Sequence, residues 1–267
     1  MYKYNGLLIH QSHDDEGVLE VVERSGVRSL HFGTPPRQSS MRLSEPYNLE
    51  LVYARAMSSW LLFKEQPKNI LLIGLGGGSL AKHILHHISD CHIDAVEYRN
   101  SVVKIARSHF GLPFDNRLKI IIGDGTHYVY THQESHQQTY DLILIDAFDH
   151  EGVADGVCSE SFFKNCYNLL KPDGMFVANL WADKNQIFQN CSKWLSDIYQ
   201  WRVLFLPVQG RSNIITLCYN HALPPILSKS LRQRAMELER YYHIEFPLFL
   251  KDLFKYNASN LNYIIKL

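Results

Sequence analysis

Asn69-Ile-Leu-Leu-Ile-Gly-Leu-Gly-Gly-Gly-Ser79 combines a strand, a glycine turn and the start of a helix. The apolar run at 70–73 predicts a buried parallel strand, and four glycines come after it within five residues. Ser79 then begins a helical spacing of apolar residues. Such a turn lets the backbone approach a nucleotide closely and directs free N–H groups at it. The stretch therefore predicts a nucleotide-binding α/β domain.

Composition excludes several classes of partner. The chain has 267 residues, 27 basic and 27 acidic, so its formal net charge is zero. A nucleic-acid-binding protein normally carries a basic field, and we expect no such partner. Five cysteines without CxxC spacing favour buried thiols over disulfides or zinc ligands. Because no apolar run approaches about 20 residues and residues 1–6 do not resemble a signal peptide, we expect a cytoplasmic protein without a membrane partner.

Changes in pattern along the chain divide it into three regions. Residues 1–45 contain short alternating runs broken by turns, which predict a small N-terminal β unit. Residues 46–220 begin with a helical pattern and then alternate strands and helices, which predicts a mainly parallel sheet covered on both faces. Its last two strands flank Gly210 as an antiparallel edge hairpin, giving seven strands in all. Residues 221–267 predict a helical tail packed on this nucleoside-binding domain.

Acidic residues stand at three successive strand ends of the predicted sheet. They are Glu97, Asp124 and Asp146, and the carboxyl ends of parallel strands hold ligands in open sheets. Glu97 lies about twenty residues after the glycines, where a carboxylate commonly accepts hydrogen bonds from both ribose hydroxyls. Asp124, between two glycines, is placed to accept from the adenine amine. The alternative is that these acids only cap the helices that come next.

The fourth strand end carries four acids within ten residues: Asp146, Asp149, Glu151 and Asp155. Clustered carboxylates attract a cationic ligand and hold its ammonium groups. They also raise one another's pKa, which lets one of them accept a proton near neutral pH. The alternative is a solvated loop with a helix cap.

In this order, the motifs resemble the spermidine synthase (polyamine aminopropyltransferase) family over roughly residues 18–220. The matching segments are Thr34-Pro-Pro-Arg-Gln-Ser39, Ile-Gly-Leu-Gly-Gly-Gly-Ser at 73–79, Val-Glu-Tyr-Arg-Asn-Ser-Val-Val at 96–103, Gly-Asp-Gly-Thr at 123–126, Tyr-Asp-Leu-Ile-Leu-Ile-Asp-Ala-Phe-Asp at 140–149, Ser-Phe-Phe at 161–163 and Leu-Lys-Pro-Asp-Gly at 170–174. The resemblance implies a methyltransferase-like Rossmann fold behind a β cap, assembled as a homodimer. It also implies decarboxylated S-adenosylmethionine as aminopropyl donor, a diamine acceptor and no metal.

The resemblance also assigns roles to residues. Glu97 would bind the ribose, Asp124 with the backbone of Gly125 the adenine, and Gln38 would face the aminopropyl arm. Asp146 would take the proton of the attacking amine, and Asp149 would help to hold that amine. The glycine turn, through Gly74, Gly76 and Gly78, would lie against the nucleoside.

Three positions depart from the family pattern. Gly77 stands where the family has an aspartate that holds the donor's terminal amine. The Tyr-His-Glu of the family is replaced by Leu51-Val-Tyr-Ala-Arg55, and its Asp-Ser-Ser-Asp-Pro by Asp146-Ala-Phe-Asp-His150. Loss of the amine-holding acid would favour intact S-adenosylmethionine, whose carboxylate prefers glycine N–H groups.

Three functions therefore remain open: an aminopropyltransferase, a methyltransferase that uses S-adenosylmethionine on a small molecule, and a non-catalytic paralogue. His83 and His87 lie four residues apart, but no Glu or Cys completes a metal-ligand set, so an interface or solvated role is favoured.

Overall fold

The computed structural model describes residues 1–133, 135–147, 155–182, 185–220 and 226–266, with residues 155 and 185 described by their backbone alone. An antiparallel sheet of five strands in chain order comes first. Its strands are β1 (Tyr2–Lys3), β2 (Gly6–Asp14), β3 (Gly17–Arg24), β4 (Val27–His31) and β5 (Ser39–Arg42). This cap sheet confirms the N-terminal β structure predicted from the alternating runs.

The glycine turn lies inside a second, larger sheet with helices on both faces. Its elements are α1 (Val52–Met57), a 3-10 turn (Ser58–Leu62), β6 (Asn69–Ile73), α2 (Ser79–His87), β7 (His92–Glu97), α3 (Asn100–His109), β8 (Leu118–Ile122), α4 (Gly125–His132), β9 (Tyr140–Ile145), a 3-10 turn (Asp155–Val157), α5 (Glu160–Leu169), β10 (Leu170–Trp181), α6 (Asn185–Ile198), β11 (Val203–Pro207) and β12 (Asn213–Tyr219).

The seven strands of the main sheet run in the order β11-β12-β10-β9-β6-β7-β8. Strands β6 to β10 are parallel, and β12 is antiparallel to both β10 and β11. The predicted parallel sheet with an antiparallel edge hairpin is thus confirmed. The chain leaves β6 toward β7 and β8 and then returns to β9 on the other side. This reversal of direction opens a crevice at the carboxyl ends of β6 and β9.

Strand β6 shows why its sequence is an unbroken apolar run. Ile70 and Leu72 pack into the cluster on one face of the sheet, and Leu71 and Ile73 into the cluster on the other. All four side chains are at most 3% exposed. A strand covered on both faces has no side for polar residues, so alternation disappears.

Strand β10 begins earlier than its sequence predicts. A turn is predicted at 171–174, and yet the strand starts at Leu170, which pairs with Tyr140. The register then shifts, and Met175 pairs with Leu142. The turn residues are therefore an irregularity inside a strand rather than its boundary.

The C-terminal region shares the core of the main sheet. It consists of β13 (Ile226–Leu227), α7 (Ser228–Tyr242), α8 (Phe246–Tyr256), a 3-10 turn (Leu261–Tyr263) and β14 (Ile265–Lys266), and β13 pairs with β14 in parallel. Leu231 and Leu253 lie in the same buried cluster as Leu72 of β6. Among the described residues, no helix combines the length and apolarity needed to cross a membrane.

Candidate active site

A cavity of about 590 Å³ lies at the carboxyl ends of the central strands, and the cap sheet and α1 contribute to its walls. The cap contributes Val18 and Phe32, and α1 contributes Tyr53. Seven of the residues predicted as site residues line this one space: Gln38, Gly74, Gly76, Glu97, Asp124, Gly125 and Asp146. Asp149 lies outside the described residues, as does Glu151.

Gly74 lets two strand ends meet at the cavity. Its φ is +89°, and a Cβ at this position would lie 2.2 Å from the carbonyl oxygen of Asp146. The backbone N–H of Asp146 donates to the carbonyl of Ile73 at 2.8 Å. Because only glycine tolerates both the conformation and the contact, the turn sequence fixes Asp146 beside the glycine turn.

Two glycines of the turn do not line the cavity. Gly78, predicted as a binding residue, precedes α2 with φ +76°, and a Cβ there would meet Leu112. A Cβ on Gly77 would meet Ser39 Oγ at 2.7 Å, so this position faces the packing between the turn and the cap. A side chain at position 77 would therefore meet the cap and not the cavity, and the turn glycines that line the cavity are Gly74 and Gly76.

Glu97 holds the glycine turn in place from the end of β7. One carboxylate oxygen accepts from the N–H of Leu75 at 2.9 Å and of Gly76 at 3.4 Å. The other accepts from the N–H of Arg99 at 2.9 Å. Burial raises the pKa of Glu97, and these backbone hydrogen bonds oppose that rise. A carboxylate has about four acceptor positions, so capacity remains for a ribose hydroxyl at the oxygen that faces Arg99.

Asp124 caps a helix and lines the cavity at the same time. Its carboxylate accepts from the N–H of His127 at 2.8 Å and from the hydroxyl of Thr126, at the start of α4. Burial raises the pKa of Asp124, but the Thr126 and His127 hydrogen bonds outweigh it and hold the pKa below its usual value. The helix-cap alternative is thus correct for Asp124 and does not exclude the binding role.

Asp146 is the acid whose protonation is shifted toward neutral pH. Burial raises its pKa to about 6, against the lowering effect of hydrogen bonds from Asn179 and Tyr53. Asn179 Nδ2 donates to Asp146 Oδ1 at 3.0 Å. The single proton of the Tyr53 hydroxyl is shared between Asp146 and the backbone carbonyl of Gln38, which lies 3.3 Å away. Asp146 can therefore accept a proton in the physiological range.

Sequence reasoning missed Tyr53 and Asn179. Tyr53 is the one position retained from the Tyr-His-Glu motif, and its hydroxyl hydrogen-bonds Asp146. Arg55 stands where the motif has its glutamate, and it forms a two-pronged ion pair with Glu245, 2.9 Å from Nε to Oε2. Asn179 had a signal: it is the polar interruption in the apolar strand at 175–180.

The cavity carries a strong excess of negative charge. Its described lining includes five carboxylates, namely Glu16, Glu50, Glu97, Asp124 and Asp146. Arg99 is the single Lys or Arg among those described lining residues, and it is already paired with Asp14 at 2.6 Å. Such a lining suits a ligand with several positive charges. Over the described part of the chain, no group of three His, Cys, Asp or Glu side chains could hold a metal ion.

Comparison with known sequences shows the family to which the chain belongs. The profile of the spermine/spermidine synthase domain matches residues 50–208. The chain is 36% identical over 242 residues to the polyamine aminopropyltransferase of Neisseria meningitidis serogroup A, covering 90% of each protein.

Comparison with solved structures gives two kinds of neighbour. Spermidine synthase from Thermotoga maritima superposes with a TM-score of 0.69 at 20% identity, covering 97% of this chain and 89% of that one, which shows a shared fold. Human methyltransferase-like protein 13 in complex with SAH superposes with a TM-score of 0.66 at 26% identity, covering 72% of this chain and 93% of that one.

Proposed function

The chain belongs to the spermine/spermidine synthase family and is an aminopropyl-transferring enzyme, and we propose that Asp146 is the base of its reaction. The donor is decarboxylated S-adenosylmethionine, and the acceptor is a di- or polyamine of the putrescine type. The observation that carries the proposal is the convergence of Glu97, Asp124 and Asp146 on one cavity beside the glycine turn.

The lining charges favour the decarboxylated donor. This donor carries a sulfonium and an ammonium group, whereas intact S-adenosylmethionine adds a carboxylate. Five described carboxylates line the cavity, and its one described Lys or Arg, Arg99, is occupied by Asp14. A donor with two positive charges therefore meets attraction, and a third group of negative charge would meet repulsion.

The proposed step is an in-line displacement. The neutral amine attacks the methylene carbon attached to the sulfonium, the C–S bond breaks, and its electron pair stays on sulfur in methylthioadenosine. Asp146 accepts the proton that the new ammonium loses. The chain's own contribution is to position donor and acceptor and to supply this base, since the sulfonium is already an excellent leaving group.

Individual residues would share the binding. Glu97 would hold the ribose, Asp124 with Gly125 the adenine, and Gln38 the aminopropyl arm, with Gly74 and Gly76 against the nucleoside. Asp149 would hold the acceptor amine, as the family resemblance implies. The homodimer and the cytoplasmic location expected from the sequence stay predictions.

Methyl transfer is the second candidate, because the chain resembles a methyltransferase that was solved with SAH. Incubating the protein with decarboxylated S-adenosylmethionine and putrescine, spermidine or cadaverine should release methylthioadenosine. In parallel, the intact donor with the same amines should release no S-adenosylhomocysteine. Absence of methylthioadenosine across the amines would reject aminopropyl transfer, and release of S-adenosylhomocysteine would establish the methyltransferase instead.

A further inference from the structure

We propose that Asn179 and Asn213 form an amide relay that orients Asp146 and keeps it ionised for catalysis. Asn213 fixes the direction of the Asn179 amide, and Asn179 in turn donates to the base. Both are positioning residues, because they act through Asp146. The inference rests on the proposed function of Asp146 and assigns a role to two residues on strands β10 and β12.

Strand register places Asn179 beside the base. In the parallel pair of β9 and β10, Ala178 lies opposite Ile145. The next residues along the two strands are Asn179 and Asp146, and they meet through the 3.0 Å bond from Nδ2 to Oδ1. Asn179 is only 2% exposed, so water does not compete for its amide. A buried amide beside a carboxylate must point its donor group at it or lose a hydrogen bond.

Asn213 fixes which end of the Asn179 amide, NH₂ or oxygen, faces Asp146. It begins β12, where it lies opposite Trp181. Its Nδ2 donates to Asn179 Oδ1 at 2.9 Å. If the Asn179 amide turned over, its NH₂ would face the NH₂ of Asn213 and its oxygen would face the carboxylate of Asp146. Both contacts would be repulsive, so Asn213 locks the donor toward the base.

The relay acts on the charged form of Asp146. A neutral donor to a carboxylate stabilises its ionised state, and here it opposes the desolvation that burial imposes. The other described group that hydrogen-bonds Asp146 is Tyr53 from α1. Glu97 and Asp124 face the same cavity from the neighbouring strand ends. The Asn179 amide occupies only Oδ1, one of the two oxygens of the Asp146 carboxylate.

Packing does not explain two amides at these positions. Val177, two residues before Asn179 and therefore on the same face of β10, is fully buried in an apolar cluster. An apolar side chain at 179 would complete the same surface without the cost of burying an amide. The buried amide of Asn179 is therefore best explained by what it does to Asp146.

The test compares the pH dependence of kcat at saturating donor and amine in four variants. Asn179→Leu removes the donor to Asp146, Asn213→Ala removes the lock, and the double variant removes both. Asn69→Ala is the matched control, because its amide donates to the Thr139 carbonyl at 3.2 Å at the amino end of β6, away from the carboxyl ends that form the cavity. Methylthioadenosine affinity and near-ultraviolet circular dichroism report whether each variant is folded.

We expect the acidic limb of the wild-type profile to move upward by roughly one pH unit in Asn179→Leu. Asn213→Ala should shift it in the same direction by less, and the double variant should match Asn179→Leu, because the relay passes through Asn179. The limb of Asn69→Ala should stay in place. If Asn179→Leu does not fold, the half-buried Asn213 still provides the test.

An unmoved acidic limb in Asn179→Leu and Asn213→Ala would overturn the relay, as would a further shift when Asn213→Ala is added to Asn179→Leu. Both results require an active wild-type enzyme. A wild-type protein that releases no methylthioadenosine would instead reject the proposed function, so the two failures are distinguishable.

Discussion

Asp146 combines three properties that a base in this reaction needs. It lines the cavity, its backbone is held by the end of β6, and burial raises its pKa to about 6. Above pH 6 the carboxylate is mainly ionised and can accept a proton. Below pH 6 it is mainly protonated, so activity should fall as the pH decreases through this value.

Replacing Asp146 by asparagine tests this role directly. Asp146→Asn keeps the shape but cannot accept the proton, and we expect kcat to fall by about 10²-fold or more while methylthioadenosine binds as in the wild type. Steady-state kinetics and calorimetry measure the two quantities. Asp173→Asn, an exposed carboxylate paired with Lys64, is the control and should change neither. Wild-type turnover in Asp146→Asn would remove Asp146 from the base role.

Glu97 holds the glycine turn in place, and the proposed function also assigns it the ribose of the nucleoside. In Glu97→Gln one carboxylate oxygen becomes an NH₂ group, and either orientation sets that group against a backbone N–H, of Leu75 or of Arg99. We expect about tenfold or greater loss of methylthioadenosine affinity, because a buried donor is left unsatisfied. Calorimetry measures it, with Glu239→Gln on the exposed side of α7 as control. Equal affinities would exclude Glu97 from nucleoside binding.

The residues that sequence reasoning found and missed differ in one respect. Glu97, Asp124 and Asp146 come at the ends of apolar strands, so chain position alone predicts where they point. Tyr53 lines the cavity from a helix, and Asn179 reaches Asp146 from the interior of a strand. Their role depends on how α1 and β10 pack against β9, and that is a tertiary relation which local patterns do not encode.

At the scale of elements, an ion pair joins the cap sheet to the main domain at the rim of the cavity. Asp14, at the end of β2, pairs with Arg99 between β7 and α3, 2.6 Å from Oδ1 to Nη2. Arg99 also donates to the carbonyl of Gly17 at 3.2 Å and lies over the ring of Phe32. Glu16, Gly17 and Val18 of this hairpin line the cavity. The contact therefore holds the β2–β3 hairpin of the cap against the rim of the cavity.

Breaking the ion pair between Asp14 and Arg99 should weaken binding of the donor more than it slows the chemical step. In Asp14→Asn the carboxylate that balances Arg99 is lost, and the hairpin should spend less time closed over the cavity. We expect KM for the donor to rise about fivefold, because a partly exposed ion pair contributes up to about 1 kcal/mol. The value of kcat should stay near that of the wild type. Steady-state kinetics measure the split. Glu23→Gln breaks a cap ion pair with Arg28 and should leave KM unchanged. A selective fall in kcat would contradict this role.

The elements themselves were largely predictable because their signals are local. Apolar runs such as 70–73 and 142–145 are long enough to specify buried strands. The glycines at 74–78 specify a tight turn between β6 and the helix that comes next. The start of β10 was not predictable in the same way. Its turn-forming residues at 171–174 carry a loop signal, whereas pairing of Leu170 with Tyr140 is decided by the neighbouring strand.

At the scale of the whole molecule, the C-terminal helices and the main sheet are one structure. Phe246, Leu250 and Leu253 of α8 lie in the buried cluster that contains Leu204 and Leu217 of the edge hairpin. Arg55 of α1 adds a charged link to this region through Glu245. Helical spacing predicted the helices of this region. The surface against which they pack could not be deduced, because the domain has several apolar faces on which such helices could pack.

Because the core is shared, a substitution that removes buried side-chain volume from the C-terminal helices should also destabilise the main sheet. Leu253 is fully buried in α8, so Leu253→Ala should lower the free energy of unfolding by about 2–5 kcal/mol through lost burial and the cavity left behind. Leu248→Ala on the same helix is the control: its side chain is 39% exposed, and the loss should be well under about 1 kcal/mol. Urea unfolding followed by circular dichroism gives both values. Hydrogen exchange adds the decisive comparison, because amides of α8 and β6 should lose protection together in Leu253→Ala. Earlier exchange in α8 with β6 unchanged would show that the C-terminal helices unfold as a unit of their own.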